Sequence, residues 1–187
     1  MKRRNKVGLT DIKKLRELTS LGVNDCKKAL SESEGDFNEA LKILKKRGIR
    51  MLEKKSARAA HEGLIDSYVH FRGNLGVLIE VNCETDFVGR TEIFKKFVKD
   101  MAMQVAASNP EYIKKENIPS DFLKDVKNPN EYVKQHCLLE QPFIKNNKIS
   151  VGEYLRDIVS QTGENVVIKR FIRFSLGEKD EDQKDKC

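Results

Sequence analysis

GLIDSYVHFRGNLGVLIEV, residues 63–81 of the chain, is the segment that decides the fold. An apolar segment from Leu64 to Phe71 leads into Arg72-Gly73-Asn74, a tripeptide typical of a tight turn. A nearly unbroken apolar run follows from Leu75 to Val81. Two apolar segments joined by a short glycine-containing turn predict a β-hairpin. Because the second segment is apolar at nearly every position, we expect it to be the central strand of a sheet.

The later segments predict the rest of a core domain. Apolar residues recur at helical spacing from Ile93 to Ala106, which predicts an amphipathic helix that ends before Asn109-Pro110. A short helix is predicted from Val151 to Gln161, and a third strand from Val166 to Leu176. Residues 109–135 hold three of the four prolines and predict loops, with one or two helical turns around residues 120–126.

The first fifty residues predict three short helices. Thr10 is the expected cap of the first, in which Ile12, Leu15 and Leu18 recur at helical spacing. Asn24 or Asp25 is expected to cap the second, and Gly35-Asp36 separates it from the third. Seven residues are expected to line the inner faces of the second and third helices: Cys26, Ala29, Leu30, Phe37, Ala40, Leu41 and Leu44. Three helices in so short a segment resemble a ubiquitin-associated-type bundle, a size of module that usually serves for docking.

These patterns predict an α+β fold with four parts. Residues 1–50 form a ubiquitin-associated-like helical docking module, and residues 51–62, rich in Lys, Arg and Ala, form a basic helical linker. Residues 63–178 form a core domain in which a three-stranded antiparallel sheet packs against helices. Residues 179–187 are a charged tail that we expect to be disordered.

Composition restricts the class of protein. Charged residues make up 35% of the chain, and no apolar run approaches the roughly 20 residues that span a bilayer, so no membrane association is expected. The segment Met1 to Lys6 is charged without a following apolar stretch, which argues against a secretory signal. We therefore expect a cytoplasmic protein, with a plastid or a mitochondrion as the alternative compartment.

The net charge of +7 is concentrated in the amino-terminal third, where residues 1–60 carry +9 and the remainder carries −2. A basic segment of this kind raises the possibility of nucleic-acid binding. The alternative is a solvated helical surface that lies against an acidic protein. The alternative is favoured because the charges follow helical faces and no aromatic-bearing sheet accompanies them, so direct nucleic-acid binding is not expected.

The motifs of catalysis and cofactor binding are absent from the sequence. It contains no P-loop, GxSxG, HExxH or glycine-rich dinucleotide turn. Its four cysteines form no CxxC pair, and its histidines lack ligand spacing, so neither a metal nor a cofactor is expected. Cys83 is a poor nucleophile candidate because a neighbouring carboxylate, Glu84, raises the pKa of a thiol. We expect a protein that is not an enzyme.

The segment Glu84-Thr85-Asp86-Phe87-Val88, between a predicted buried strand and a predicted helix, has two interpretations. In the first, Phe87 is displayed on a protruding turn that serves as a binding site. In the second, Thr85 or Asp86 caps a helix, as Thr91 also could, and Phe87 fills the core. The residues alone favour the second interpretation without excluding the first.

The chain closely resembles bacterial-type elongation factor Ts from Leu9 to Glu178, through four stretches in the same order and spacing. They are residues 15–30, residues 62–65 with 80–88, residues 138–143 with 151–153, and residues 163–171, which read LRELTSLGVNDCKKAL, EGLI with EVNCETDFV, LLEQPF with VGE, and GENVVIKRF. The resemblance implies a guanine nucleotide exchange factor that binds elongation factor Tu carrying GDP and lets GTP replace the GDP.

The resemblance also implies roles for individual residues. The segment Thr85 to Val88 is associated with displacing Mg²⁺ from elongation factor Tu, and Asp86 and Phe87 are the pair that intrudes between two helices of the GTPase. The residues implied in docking on its GTPase domain are Gly22, Val23, Asn24, Asp25 and Lys27.

The chain departs from the family pattern at two points. The family usually carries Met at one or both of the positions occupied by Val23 and Asn24, so the polar Asn24 weakens the expected apolar contact. The chain also has one core domain, whereas long members duplicate it. Short members pair through their core sheets, so we expect a homodimer formed through the Val166 to Phe174 region, with a monomer as the alternative. The rival hypothesis is a binding module without exchange activity, an adaptor or an RNA-binding protein that uses the basic first third.

Overall fold

The computed structural model describes residues 8–19, 22–44 and 57–178. The first two ranges hold three helices: α1 (Leu9–Thr19), α2 (Val23–Glu32) and α3 (residues 37–44). Their inner faces form one hydrophobic cluster made of Ile12, Leu15, Cys26, Ala29, Leu30, Ala40 and Leu44. The predicted helices and most of their predicted inner faces are therefore confirmed, while the ubiquitin-associated likeness and the four domain boundaries stay predictions.

Leu18, which continues the apolar spacing of Ile12 and Leu15 along α1, is nevertheless 64% exposed. Each step of three residues falls about 60° short of a full turn, so two steps carry Leu18 about 120° from Ile12 around α1. The predicted cap Thr10 is wrong. The helix begins two residues earlier than a cap at Thr10 implies, after Gly8, whose carbonyl oxygen accepts hydrogen bonds from the backbone N–H groups of Asp11 and Ile12.

The predicted cap of α2 is also displaced. Gly22 stands at the cap position with extended backbone angles, and Asn24 and Asp25 lie within the first turn. In that position the negative charge of the Asp25 carboxylate interacts favourably with the positive end of the helix dipole. The turn before α3 agrees with the prediction, since Gly35 has a φ of 92° and the Asp36 carboxylate accepts a 2.9 Å hydrogen bond from the Glu39 N–H.

The core begins with the predicted hairpin, β1 (Glu62–Val69) and β2 (Leu75–Cys83). A single helical turn, α4 (Asp86–Gly89), connects β2 to α5 (Glu92–Ser108), which the Thr91 hydroxyl caps by accepting from the Phe94 N–H. Helix α5 packs on β1 and β2 through large side chains that include Phe94, Phe97 and Met101. Fully burying a side chain of this size contributes about 1.5–3 kcal/mol, so this helix supplies much of the core.

The segment between α5 and residue 150 contains more regular structure than its prolines predict. The expected turns near residue 120 are present as α6 (Ser120–Asp125), but a second helix, α7 (Pro129–His136), was not predicted. Pro129 is the first residue of α7, a position where the missing N–H costs nothing. A small hairpin follows, formed by β3 (Pro142–Phe143) and β4 (Asn146–Ser150).

Helix α8 (Val151–Thr162) and strand β5 (Val167–Ser175) complete the core and agree with prediction. The helix starts at a capping box between Ser150 and Glu153 and stops at Gly163, whose φ is 78°. Strand β5 pairs antiparallel with β2, so the sheet order is β1-β2-β5 and β2 is central, as expected. The α+β prediction is therefore confirmed.

Two further predictions concern parts of the chain that are only partly described. Residues 57–61 of the predicted helical linker carry no helix, and Glu62 is already the first residue of β1. Residues 51–56 of that linker and the predicted disordered tail, residues 179–187, lie outside the described residues.

Gly63 is held against the backbone of β2. Its φ is 145°, and a Cβ atom there would overlap the Val81 carbonyl oxygen and approach the Asn82 Cα to 2.7 Å. We therefore expect Gly63→Ala to lower the free energy of unfolding by about 2 kcal/mol or more, as measured by urea denaturation. Gly76→Ala is the matched control, because a Cβ there meets nothing within 4 Å. Equal unfolding midpoints for the two variants would contradict this explanation.

Candidate functional site

The turn that follows β2 displays Phe87. Thr85 is the N-cap residue of α4, with extended backbone angles, and its hydroxyl accepts a hydrogen bond from the Val88 N–H at 3.4 Å. Phe87 lies on the outer side of this turn and is 79% exposed. The expectation that Thr85 caps a helix is therefore confirmed, while the interpretation of Phe87 as a core residue is wrong.

The other side of α4 faces the core. Val88 is half-buried and packs against the main hydrophobic cluster, and Gly89 is buried beside Cys83 and Gly63. A Cβ on Gly89 would meet both neighbours at 3.6 Å, an ordinary contact distance. Asp86 forms a 2.8 Å ion pair with Arg90 one turn later and remains 44% exposed. The turn therefore buries one side and presents Asp86 and Phe87 on the other.

The carboxylate of Glu164 holds the start of this turn. One of its oxygens, Oε2, accepts hydrogen bonds from the backbone N–H groups of Glu84 (3.1 Å) and Thr85 (3.0 Å). The other, Oε1, accepts a 2.6 Å hydrogen bond from the Thr85 hydroxyl. Hydrogen bonds to an ionised carboxylate are about twice as strong as those between neutral groups. Three of them converge on one half-buried side chain.

Glu84 makes the reciprocal contact, from the turn to the segment that contains Glu164. Its Oε1 accepts a 2.6 Å hydrogen bond from the backbone N–H of Asn165, the residue after Glu164. The Arg58 guanidinium lies 3.5 Å from the same carboxylate, and the Asn165 side-chain amide donates a 2.8 Å hydrogen bond to the Arg58 carbonyl oxygen. We call Glu84, Thr85, Glu164 and Asn165 the carboxylate clamp. Glu84 has a structural role within it.

Cys83 lies directly behind the clamp and is fully buried. Its thiol donates a 3.1 Å hydrogen bond to the Thr85 carbonyl oxygen. Burial raises the pKa of the Cys83 thiol, and the nearby Glu164 carboxylate raises that pKa further. The neighbour responsible is therefore Glu164 rather than Glu84, and the thiol stays protonated at neutral pH.

The residues predicted for docking lie together at the start of α2. Gly22, Val23, Asn24 and Lys27 are exposed, and Asp25 is half-buried. Val23 adds apolar area beside the charge of Lys27. Two further exposed apolar residues of α1, Leu9 and Leu18, were not predicted to be surface residues. The turn that carries Thr85 to Val88 packs, through Val88, on the other hydrophobic cluster, that of the sheet.

The residues that the structure describes form neither a metal-binding cluster of His, Cys, Asp or Glu nor a membrane-spanning helix. In residues 8–19, 22–44 and 57–178, no group of three or more His, Cys, Asp or Glu residues is arranged to hold a metal ion. Within the same ranges, no helix combines the length and apolarity needed to cross a membrane.

Three residues that hold the turn are not among the predicted site residues. Glu164 and Asn165 lie in one of the stretches that resemble the family, and Arg58 lies in the predicted linker. The contacts of Glu164 and Asn165 with residues 84–85 join positions about 80 residues apart in sequence, and those of Arg58 with Glu84 and Asn165 join positions 26 and 107 residues apart. The periodicity of apolar residues does not predict contacts between side chains that are so far apart in sequence. The one local signal was two acidic residues, Glu84 and Glu164, each next to the end of a predicted strand.

Comparison with known proteins gives a consistent result. The family model described as elongation factor TS matches residues 5–129 and 128–178. An elongation factor Ts from Anaeromyxobacter sp. strain Fw109-5 is 44% identical, with 89% of this chain and 87% of that protein aligned. The elongation factor Ts of Thermotoga neapolitana is 42% identical, with 92% of this chain and 98% of that protein aligned. Similarity over nearly the whole length shows that the chain belongs to the elongation factor Ts family.

Proposed function

We propose that this protein is a guanine nucleotide exchange factor for elongation factor Tu in translation elongation. It binds elongation factor Tu carrying GDP, disturbs the Mg²⁺ site and promotes release of GDP, so that GTP can bind. The observation that carries the proposal is the 79% exposure of Phe87 on a turn held by the carboxylate clamp, within a chain of the elongation factor Ts family. The proposed activity makes and breaks no covalent bond.

Phe87 has the properties required of a wedge. A single exposed apolar side chain is common on protein surfaces and needs no explanation by itself. Phe87, however, lies on a one-turn helix whose first residues are fixed by charge-assisted hydrogen bonds, so the ring has a defined position before any partner binds. Burial of the ring in a partner is worth about 1.5–3 kcal/mol. That free energy is available to displace elements of the GTPase.

Displacement of the metal explains nucleotide release. Mg²⁺ requires near-ideal octahedral geometry, so a small shift of the elements that support it weakens its binding sharply. Loss of the ion leaves the phosphate charges of GDP less compensated. In this proposal Phe87 and Asp86 intrude, while Thr85 and Val88 anchor the turn.

The two binding events are coupled reciprocally. The exchange factor weakens the binding of GDP by the same free energy by which GDP weakens the binding of the exchange factor. The factor therefore accelerates exchange without setting its direction.

Docking on the GTPase domain is assigned to the start of α2. The exposed Val23 provides apolar contact area and Lys27 provides a charge, while Gly22, Asn24 and Asp25 shape the first turn. The two contacts with elongation factor Tu have different roles. The docking contact raises the local concentration of the wedge, and the wedge acts on the metal site.

The wedge assignment predicts the effect of Phe87→Ala. We expect this change to lower the rate of GDP release at saturating exchange factor about 10- to 100-fold, the loss typical of an anchor residue at an interface. The measurement is release of fluorescent GDP from elongation factor Tu.

Phe122→Ala is the matched control, because it removes another partly exposed phenylalanine, on α6. It is expected to retain the wild-type rate. If the wild-type protein fails to accelerate release, the proposed function is wrong. If Phe87→Ala is fully active, the wedge assignment alone is wrong.

The docking assignment predicts a different kinetic change. Lys27→Glu is expected to raise the half-saturating concentration of exchange factor about threefold to tenfold and to leave the saturating release rate unchanged, because rim charges act on association. Lys42→Glu, the same reversal on α3, is the control. A lower saturating rate for Lys27→Glu with an unchanged half-saturating concentration would refute the division of roles.

We further propose that two copies pair through the outer faces of their core sheets. In the register of the sheet, Val69, Gly76 and Phe174 stand side by side on the face opposite α5, as do Ser67, Leu78 and Ile172. Several of these side chains are exposed and apolar: Val69, Leu78 and Phe174. Val166, which begins the predicted dimer region, and Ile168 are buried in the core. The candidates for contact in that region are its outward-facing residues, Val167, Arg170, Ile172 and Phe174.

The dimer proposal predicts that Leu78→Lys weakens self-association. A charge at the centre of an apolar face is expected to raise the dimer dissociation constant about tenfold or more, as measured by sedimentation equilibrium. Ile144→Lys is the control, since Ile144 has similar exposure but lies outside the sheet. A wild-type protein that sediments as a monomer at all concentrations would contradict the proposal.

Two remaining expectations follow from this function. Translation elongation takes place in the bacterial cytoplasm, which we propose as the compartment, with a plastid or a mitochondrion as the alternative. The basic amino-terminal third is assigned to protein contact. Affinity for RNA that falls steeply with salt and grows with RNA length would favour the rival nucleic-acid function instead.

A further inference from the structure

We infer that Glu164 is a positioning residue for the wedge: its carboxylate fixes where Phe87 stands, although it does not touch the partner itself. The inference rests on the proposed function, since it specifies how the exchange site is prepared. Glu164 lies 77 positions away from Phe87 in sequence, just before strand β5, and reaches the turn through its side chain.

The position of Phe87 must be set by its backbone. The ring is 79% exposed, so packing in the free protein constrains it weakly. The backbone of α4 starts at Thr85, whose N–H and hydroxyl are both bound by Glu164. The same hydroxyl accepts from the Val88 N–H and so closes the single turn that carries Phe87. A chain of contacts therefore runs from the Glu164 carboxylate through Thr85 to the ring.

The geometry of Glu164 suits this task better than a neutral side chain would. Both of its oxygens face the turn and accept from three donors, two of them backbone N–H groups. A carboxylate accepts at both oxygens, whereas a glutamine presents one oxygen and one donor amide. Loss of the side chain would leave the half-buried N–H groups of Glu84 and Thr85 without this acceptor, which costs free energy. The turn would shift to give these N–H groups access to water or to another acceptor.

The support of Glu164 is itself rigid. Helix α8 ends two residues earlier, at Thr162, and Gly163 turns the chain in the left-handed conformation toward β5. Asn165 is buried, and its N–H is held by the Glu84 carboxylate. The clamp therefore ties the turn to an α8–β5 junction that packs in the core, in addition to the contacts that Val88 and Gly89 make.

The test is a double-mutant cycle on the affinity for nucleotide-free elongation factor Tu, measured by equilibrium titration. Glu164→Ala is expected to weaken the complex about tenfold when Phe87 is present, and less than about threefold in the Phe87→Ala background. Because Glu164 acts through the Phe87 ring, its removal costs little further affinity once the ring is absent. Glu164→Gln, which keeps one acceptor oxygen, is expected to fall between wild type and Glu164→Ala.

Glu153→Ala is the matched control. Glu153 also accepts a backbone hydrogen bond through its carboxylate, from the Ser150 N–H at 2.8 Å, and it lies in the first turn of α8, roughly 14 Å by helix geometry from Thr162, where the helix ends. This control is expected to bind like the wild-type protein. Thermal unfolding of each variant reports how much of it is folded.

The outcomes separate this inference from the function on which it rests. Equal losses from Glu164→Ala in the two backgrounds would show general damage and overturn the positioning role. An unchanged affinity for Glu164→Ala with Phe87 present would overturn it too. In both cases the wild-type protein would still accelerate GDP release, so the proposed function would stand. Failure of the wild-type protein in the release assay would instead remove the proposed function, and the inference with it.

Discussion

The reciprocal exchange of hydrogen bonds between two carboxylates and the backbones they face is the constraint on which the site depends. The Glu164 carboxylate binds the backbone at residues 84 and 85, and the Glu84 carboxylate binds the backbone at residue 165. Each acid therefore fixes the other's segment. Because the acceptors are charged and the contacts are half-buried, the two segments are held more firmly than neutral turns would be.

The carboxylate clamp affects the residues that surround it in three directions. Toward the core, Cys83 is kept protonated by burial and by the Glu164 charge, which excludes thiolate chemistry at the site. Toward the linker, Arg58 approaches the Glu84 carboxylate, and its carbonyl oxygen accepts from the Asn165 amide. The chain that enters the core is therefore anchored beside the exposed turn. Toward solvent, the clamp leaves Phe87 free to meet a partner.

Much of the fold was predictable because it follows local periodicity. The hairpin, the central position of β2, the amphipathic α5 and the strand β5 all follow from the spacing of apolar residues. Helix α7 was missed because its first residue is a proline, which indicates a loop everywhere except at such a position. Leu18 is exposed although it follows Ile12 and Leu15 at a spacing of three, because two such steps fall about 120° short of full turns.

The candidate site was less predictable, for a physical reason. Local propensity describes Thr85 correctly as a cap, but it assigns Phe87 to the core because large aromatic residues are usually buried. What exposes Phe87 is the short turn between β2 and α5, in which Gly89 is buried, Val88 is half-buried and the Phe87 ring is directed outward. What steadies that turn is a contact across about 80 residues, and only the folded chain brings those residues together.

The most direct measurement of this constraint is hydrogen exchange at the Thr85 amide in the free protein, followed by NMR. Protection of an amide reports the free energy of the opening that exposes it. If the Glu164 carboxylate holds the turn, the Thr85 amide exchanges as slowly as neighbouring strand amides such as that of Val81, and it loses protection in Glu164→Ala. Exchange of the Thr85 amide at the rate of an open loop in the wild-type protein would contradict the claim that the turn is fixed before the partner binds.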